Sequence, residues 1–295
     1  MHAPDSNDAI GERARDIAAA FASHPEVLAV ALGGSRARRR ATADDHSDLD
    51  LYVFTTRDID LDARRVIVRQ LGGADSAQLD QPFWGLSDQW IDPATAVHVD
   101  INYFDADWMQ DVVLRVVEGH EASLGYTTCF WRTVVHAEVL ADRTRWLEDL
   151  KTRVDVSYPD ALRANIVELN HPVLRGIYTS YASQIAKAAS RGDWVSVNHR
   201  TAALLASYFD CLFAANRVLH PGEKRLVEIA TEECAIVPEA MRDDVEAVLR
   251  AVAPPSTGDG TPRDLTARDQ ARAISRMLDR LDEALLETGM GLPSS

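Results

Sequence analysis

Lysine is nearly missing from this chain. Lys151, Lys187 and Lys224 are the three among 295 residues, and arginine fills every other basic position. Basic residues as a whole are in deficit, 31 against 46 acidic, for a formal net charge of −15. A surface of that sign repels nucleic acid at long range but not a cationic small molecule, so a nucleic-acid partner is not expected. Cysteine is scarce too. Cys129, Cys211 and Cys234 are too far apart for a zinc spacing, and their odd number gives no disulfide framework; buried thiols are expected. No apolar run approaches the roughly 18 residues of a membrane span. Residues 1–20 are polar and acidic before they turn apolar, without the basic and apolar regions of a secretory leader, so a cytoplasmic address is expected. No internal repeat or low-complexity tract stands out.

What remains is ordinary globular material, with 46% hydrophobic and 26% charged residues over a length that suits two domains. Residues 8–23 carry Ile10, Ala14, Ile17, Ala18 and Phe21 at helical spacing. Residues 27–32 form a short apolar run that ends in Gly33-Gly34, which predicts a buried strand entering a tight turn. Residues 36–47 are polar and read as a loop. Leu49, Leu51 and Val53 alternate with Asp48, Asp50 and Tyr52, and Val97, Val99, Ile101 and Tyr103 alternate with His98, Asp100 and Asn102. Both patterns predict strands. Helices are expected over 62–71 and 105–118, a loop over 72–87 and a last strand over 134–140. From residue 142 onward almost every segment reads helical: 143–154, 159–169, 173–191, 195–218, 238–252 and 265–287. Pro172, Gly192, Pro221 and the Pro-, Gly- and Ser-containing stretch 254–262 separate them. The fold expected is α+β. A twisted mixed sheet flanked by helices occupies residues 1–141, and an all-helical domain, expected to bind a substrate, occupies 142–295.

Three features converge on one chemistry. Alternation on a strand puts Asp48 and Asp50 on one face, about 7 Å apart. Paired carboxylates repel unless a cation lies between them, and hard oxygen pairs suit Mg²⁺, which shares its shell with substrate phosphates. Asp100 on a neighbouring strand would complete a two-metal site. Gly33, Gly34 and Ser35 follow a strand directly, so their backbone N–H groups and the Ser35 hydroxyl can face a triphosphate, helped by any helix that starts there. Each feature alone has a bland explanation as a turn, a solvated strand edge or a surface acid. The apolar neighbours Leu49, Leu51, Val99 and Ile101 set all three acids opposite a core face, and the conjunction favours a metal site.

The string Gly-Gly-Ser, twelve residues, Asp-Leu-Asp-Leu and then a distant strand Asp resembles the signature of the DNA polymerase β-type nucleotidyltransferase superfamily, over residues 27–104. Within it the chain looks closest to small bacterial nucleotidyltransferase-domain proteins and to antibiotic nucleotidyltransferases of the aminoglycoside kind, which have a helical C-terminal domain. A poorly characterised branch is similar around Asn198-His199-Arg200 and His220-Pro221-Gly222-Glu223-Lys224. The resemblance implies transfer of a nucleoside monophosphate from ATP or another NTP to an acceptor, with pyrophosphate released. It implies that Gly34 and Ser35 contact the triphosphate and that Asp48, Asp50 and Asp100 bind Mg²⁺, two ions in all. The acceptor expected is a small, cationic molecule bound by a monomer or homodimer. A protein or tRNA acceptor, and a nucleotide sensor without turnover, are the alternatives.

Weaker signals surround this core. Arg36 is a candidate for phosphate contact, whereas Arg38, Arg39 and Arg40 read as solvated loop. Tyr181, Gln184, Lys187 and Arg191 share a helix face, and Asn198, Arg200, Ser207 and Asp210 follow on the next helix. They form either a wet surface or a polar seam facing the cleft, with Lys187 reaching the phosphates. Pro221 suits a helix start. Lys224 would then stand in an unfavourable first turn, which points to a phosphate or acidic partner. His98 and Asn102 are candidates to orient Asp100. Phe83, Trp84 and Trp90 read as aromatic core before they read as a base-stacking set.

Overall fold

The computed structural model describes residues 6–37, 48–83, 85–252 and 263–293. The chain divides into two compact units, each made of two stretches: Met1–Leu114 with Thr133–Val156, and Arg115–Arg132 with Ser157–Ser295. The architecture is α+β: a six-stranded mixed sheet flanked by helices, and a helical C-terminal region. Among the described residues no helix is long and apolar enough to cross a membrane.

The first unit is built on β1 (Val27–Leu32), β2 (Leu49–Thr55), β3 (Gln78–Gln81), β4 (Ser87–Ile91), β5 (His98–Asp105) and β6 (Glu138–Asp142). Their order is β3-β4-β5-β2-β1-β6. β2 and β5 run parallel, and every other pairing is antiparallel. Alternation sorts the two faces. Leu49, Leu51, Val53, Val99 and Ile101 join Ile17, Ala18 and Phe21 of α1 (Ser6–Ala22) in one apolar core. The opposite face of β2 and β5 carries Asp50, Tyr52, Asp100 and Asn102. Removing one face's side chains from water stabilises by about 1.5–3 kcal/mol per large apolar residue, which fixes the register and so turns the acids to the other side.

Two expectations fail in this unit. Residues 72–87 are not all loop, because β3 and β4 form a hairpin there. A buried polar network holds it. Arg64 of α3 (Leu61–Gln70) donates to Asp88 at 2.6 Å and to Asp80 at 2.7 Å, and the Tyr103 hydroxyl donates to Asp88 at 2.7 Å. These anchors are tertiary, so the polar local sequence does not reveal them. The strand expected over 134–140 is instead the end of α5 (Cys129–His136), the helix after α4 (Ala106–Val117), followed by β6. Buried Trp131 and Val134 are three residues apart, a helical spacing. Lys151 of α6 (Trp146–Val154) donates to the carbonyls of Val135 and Ala137, which satisfies the acceptors left at that helix end.

The second unit packs α7 (Asp160–His171), α8 (Tyr181–Ser190), α9 (Trp194–Ala215), α10 (Leu226–Glu233), α11 (Met241–Arg250) and α12 (Arg263–Glu287). Leu204, Phe209, Leu212 and Phe213 of α9 share a core with Ile274, Leu278 and Leu281 of α12. The single helix expected over 173–191 is broken. α7 runs on through Pro172 as a π-helical turn, Pro172–Gly176, and α8 starts only after Ser180, whose side chain caps it by accepting from the Ser183 N–H. Pro221 does not start a helix either. Residues 218–225 are irregular, fastened by buried His220, and α10 begins at Leu226. The His220 N–H donates to the Thr128 hydroxyl at 2.7 Å and the Gly222 N–H to His220 Nδ1 at 3.1 Å, and these bonds override the capping preference of proline.

Candidate functional site

The parallel pairing of β2 with β5 sets Asp50 directly opposite Asp100. Parallel neighbours lie about 4.8 Å apart and put paired side chains on one face, so two carboxylates stand side by side. Like charges in that position are destabilising. Asp100 Oδ1 is buried and has no hydrogen-bond partner among the described residues. Gln89 of β4 flanks Asp100 on its other side. Asp48 immediately precedes β2 and is exposed, with Oδ1 3.6 Å from His98 Nδ1. His98 therefore faces Asp48 and not, as expected, Asp100.

The glycine turn is fitted to this pair. The Gly33 N–H donates to the Asp50 carbonyl at 2.9 Å, which clamps the end of β1 to β2. A Cβ at Gly33 would lie 2.2 Å from the Tyr52 ring. Gly34 has φ +60°, and a Cβ there would lie 1.8 Å from Asp50 Oδ2. The backbone at Gly34 favours glycine, Gly33 is packed under the Tyr52 ring, and the Asp50 carboxylate packs against the Gly34 backbone. Gly34 opens a one-turn helix, α2 (Gly34–Ala37). Arg36 is half-buried, and its Nε donates to the Asp48 carbonyl at 3.2 Å, which ties α2 to the entry of β2. The Ser35 side chain, Arg38 to Arg40, Trp84 and the stretch 254–262 lie outside the described residues.

Tyr52 is the residue that sequence reasoning passed over. It shares the face of Asp50, and its hydroxyl takes a backbone hydrogen bond from Gly34. Burial pushes its pKa up and the Asp50 and Asp100 charges push the same way, while the Gly34 bond opposes them. The signal was present in the alternation Asp48, Asp50, Tyr52. Its role was not, because only the folded turn brings Gly33 and Gly34 under the ring. A phosphate reaching the Gly34 N–H would displace this hydroxyl.

The donor set suits a hard divalent cation by type and by face, and the orphaned Asp100 oxygen is an acceptor such an ion would use. Yet among the described residues no three His, Cys, Asp or Glu side chains converge on a metal-holding arrangement. Asp48 leans toward His98, and Asp50 lies against Gly34.

Lys187 and Lys224 belong to the second unit and are exposed. Lys187 lies in the last turn of α8, where a cation suits the helix dipole. Lys224 precedes α10, so the first-turn conflict expected of it does not arise. The polar seam expected on α9 is partly interior. Ser207 and Asp210 are buried. Asp210 accepts from the Thr127 hydroxyl at 2.6 Å and from its N–H, with Asn170 Nδ2 at 3.4 Å. Trp90 is core, as expected, but Phe83 is 76% exposed. Cys211 is buried, whereas Cys129 and Cys234 are only partly so.

No family model matches the chain, and no curated protein matches it. Among solved structures it is similar to a nucleotidyltransferase-like protein from Exiguobacterium sibiricum 255-15. Identity is 12%, coverage is 94% of this chain and 79% of that one, and the TM-score is 0.42. A likeness this remote fixes neither family nor activity.

Proposed function

We propose that the chain transfers a nucleoside monophosphate, AMP from ATP, to a hydroxyl of a small cationic acceptor of the aminoglycoside kind. The observation that carries this reading is the in-register pair Asp50 and Asp100 beside a glycine turn with no room for a side chain. Asp48, Asp50 and Asp100 would hold Mg²⁺, which when bound neutralises phosphate charge and makes the acceptor hydroxyl more acidic. The chain's own part is positioning. Gly34 and the α2 turn receive the phosphates, and Tyr52 keeps the turn in shape until they arrive. The acceptor oxygen bonds to the α-phosphorus as the bond to the pyrophosphate oxygen breaks. The hydroxyl proton passes to Asp100.

The test is incubation with ATP labelled at the α-phosphate, Mg²⁺ and three acceptor classes: hydroxyl-bearing cationic small molecules, tRNA and proteins. Label should move to the small molecules with pyrophosphate release, and Asp50→Asn should abolish the transfer while the fold stays intact. Equal turnover by that variant would sink the reading. Label on tRNA or protein would move the acceptor assignment. A second reading is a nucleotide sensor without turnover. Tight cation-dependent ATP binding with no transfer to any acceptor would select it.

A further inference from the structure

We propose that the second unit carries a binding cavity for an uncharged, single-ring molecule with a cis-amide edge, recognised by Gln270. The cavity, about 150 Å³, lies between α8 and α12. Ala182, Ile185 and Ala186 line one side, and Ile274 and Leu278 the other. An apolar cavity of that size accommodates one benzene-sized ring.

Gln270 lines the same cavity and is 1% exposed. Among the described residues neither its Oε1 nor its Nε2 has a hydrogen-bond partner. A buried amide with both donor and acceptor unmade is costly and rare in a folded protein. The cavity lies against this side chain, and both amide atoms are shielded from it as they stand. The terminal torsion of glutamine is soft, so the amide can turn to face that space. A lactam or carboxamide edge satisfies both atoms at once: its carbonyl accepts from Nε2 and its N–H donates to Oε1.

Charge at the wall settles the rest. Arg175, carried on the π-helical turn, reaches the cavity wall. Its guanidinium is already paired with Asp279 at 2.5 Å and with Asp282, which also holds His171 Nε2 at 2.7 Å. The cation is compensated, so the cavity offers nothing to an anion and selects a neutral ring. π-helical turns recur at functional sites. The cavity lies wholly within the second unit, so this inference stands apart from the nucleotidyl-transfer reading.

The test is calorimetric titration of the full chain with 2-pyridone, a six-membered lactam, and with N-methyl-2-pyridone, which keeps the ring and lacks the donor. Saturable binding of 2-pyridone is expected, at least about tenfold weaker for the N-methyl compound and for Gln270→Met. Absence of saturable binding, or equal binding of the two compounds, overturns the proposal. The comparison on the unaltered chain decides the matter even if the variant does not fold. If it folds, undiminished binding of 2-pyridone to Gln270→Met overturns the proposal as well.

Discussion

Gly34 concentrates two constraints in one residue, a left-handed backbone and a carboxylate against its Cα. Gly34→Ala should therefore cost about 1–2 kcal/mol of stability from the backbone alone and should push Asp50 off its position. Urea melts read the first effect and nucleotide transfer the second; unchanged values for both would contradict the fitted turn. Asp100→Asn should act in the opposite sense on stability. Relieving the paired like charges should gain about 0.2–1 kcal/mol in a melt without cation, while transfer is lost. At this scale much was legible. The two-residue alternation around Asp50 and Asp100 required no tertiary knowledge. The parts that were not legible, Tyr52 over Gly33 and Gln89 beside Asp100, depend on which backbone folds onto which strand.

Elements whose anchors are local were readable, and those held from a distance were not. β1, β2, β5, α1 and α9 announce themselves by apolar spacing. The hairpin β3–β4 does not, since its stability rests on Arg64 from α3. Removing one partner from a buried ionic network leaves the others unpaired, so Arg64→Met should cost about 3–5 kcal/mol. The hairpin amides should lose hydrogen-exchange protection ahead of β2. A uniform loss across the sheet would show that Arg64 does not hold the hairpin specifically. The failed helix starts at Val173 and Pro221 have the same origin. A π-helical turn and buried His220 override local capping chemistry that is otherwise sound.

At the scale of the whole molecule, stability should carry a distinctive pH signature. Burial raises the Asp210 carboxyl from 3.8 to about 7, against the opposing Thr127 hydrogen bonds. The folded state then keeps a proton that the unfolded state releases, so this group's contribution is full below about pH 4 and is lost as pH rises to about 7. Burial, with nearby Arg132 adding to it, lowers His220 from 6.5 to about 3. Its contribution runs the other way, present above about pH 6.5 and lost as pH falls toward 3. Asp210→Asn should gain on the parent chain between pH 4 and 7, by an amount on the order of a few kcal/mol. Melting temperatures of the two proteins across that range check this, and a constant difference would refute it. The net charge of −15 gives no further direction to function, since a chain-wide field does not choose a substrate. The most direct test of the paired aspartates is equilibrium binding of ATP to the full chain, with and without Mg²⁺, for the parent protein, Asp50→Asn and Asp100→Asn. Binding that needs the cation and weakens at least about tenfold in each variant is the expected result. Cation-independent binding of equal strength in all three would contradict the assignment of this face as the nucleotide site.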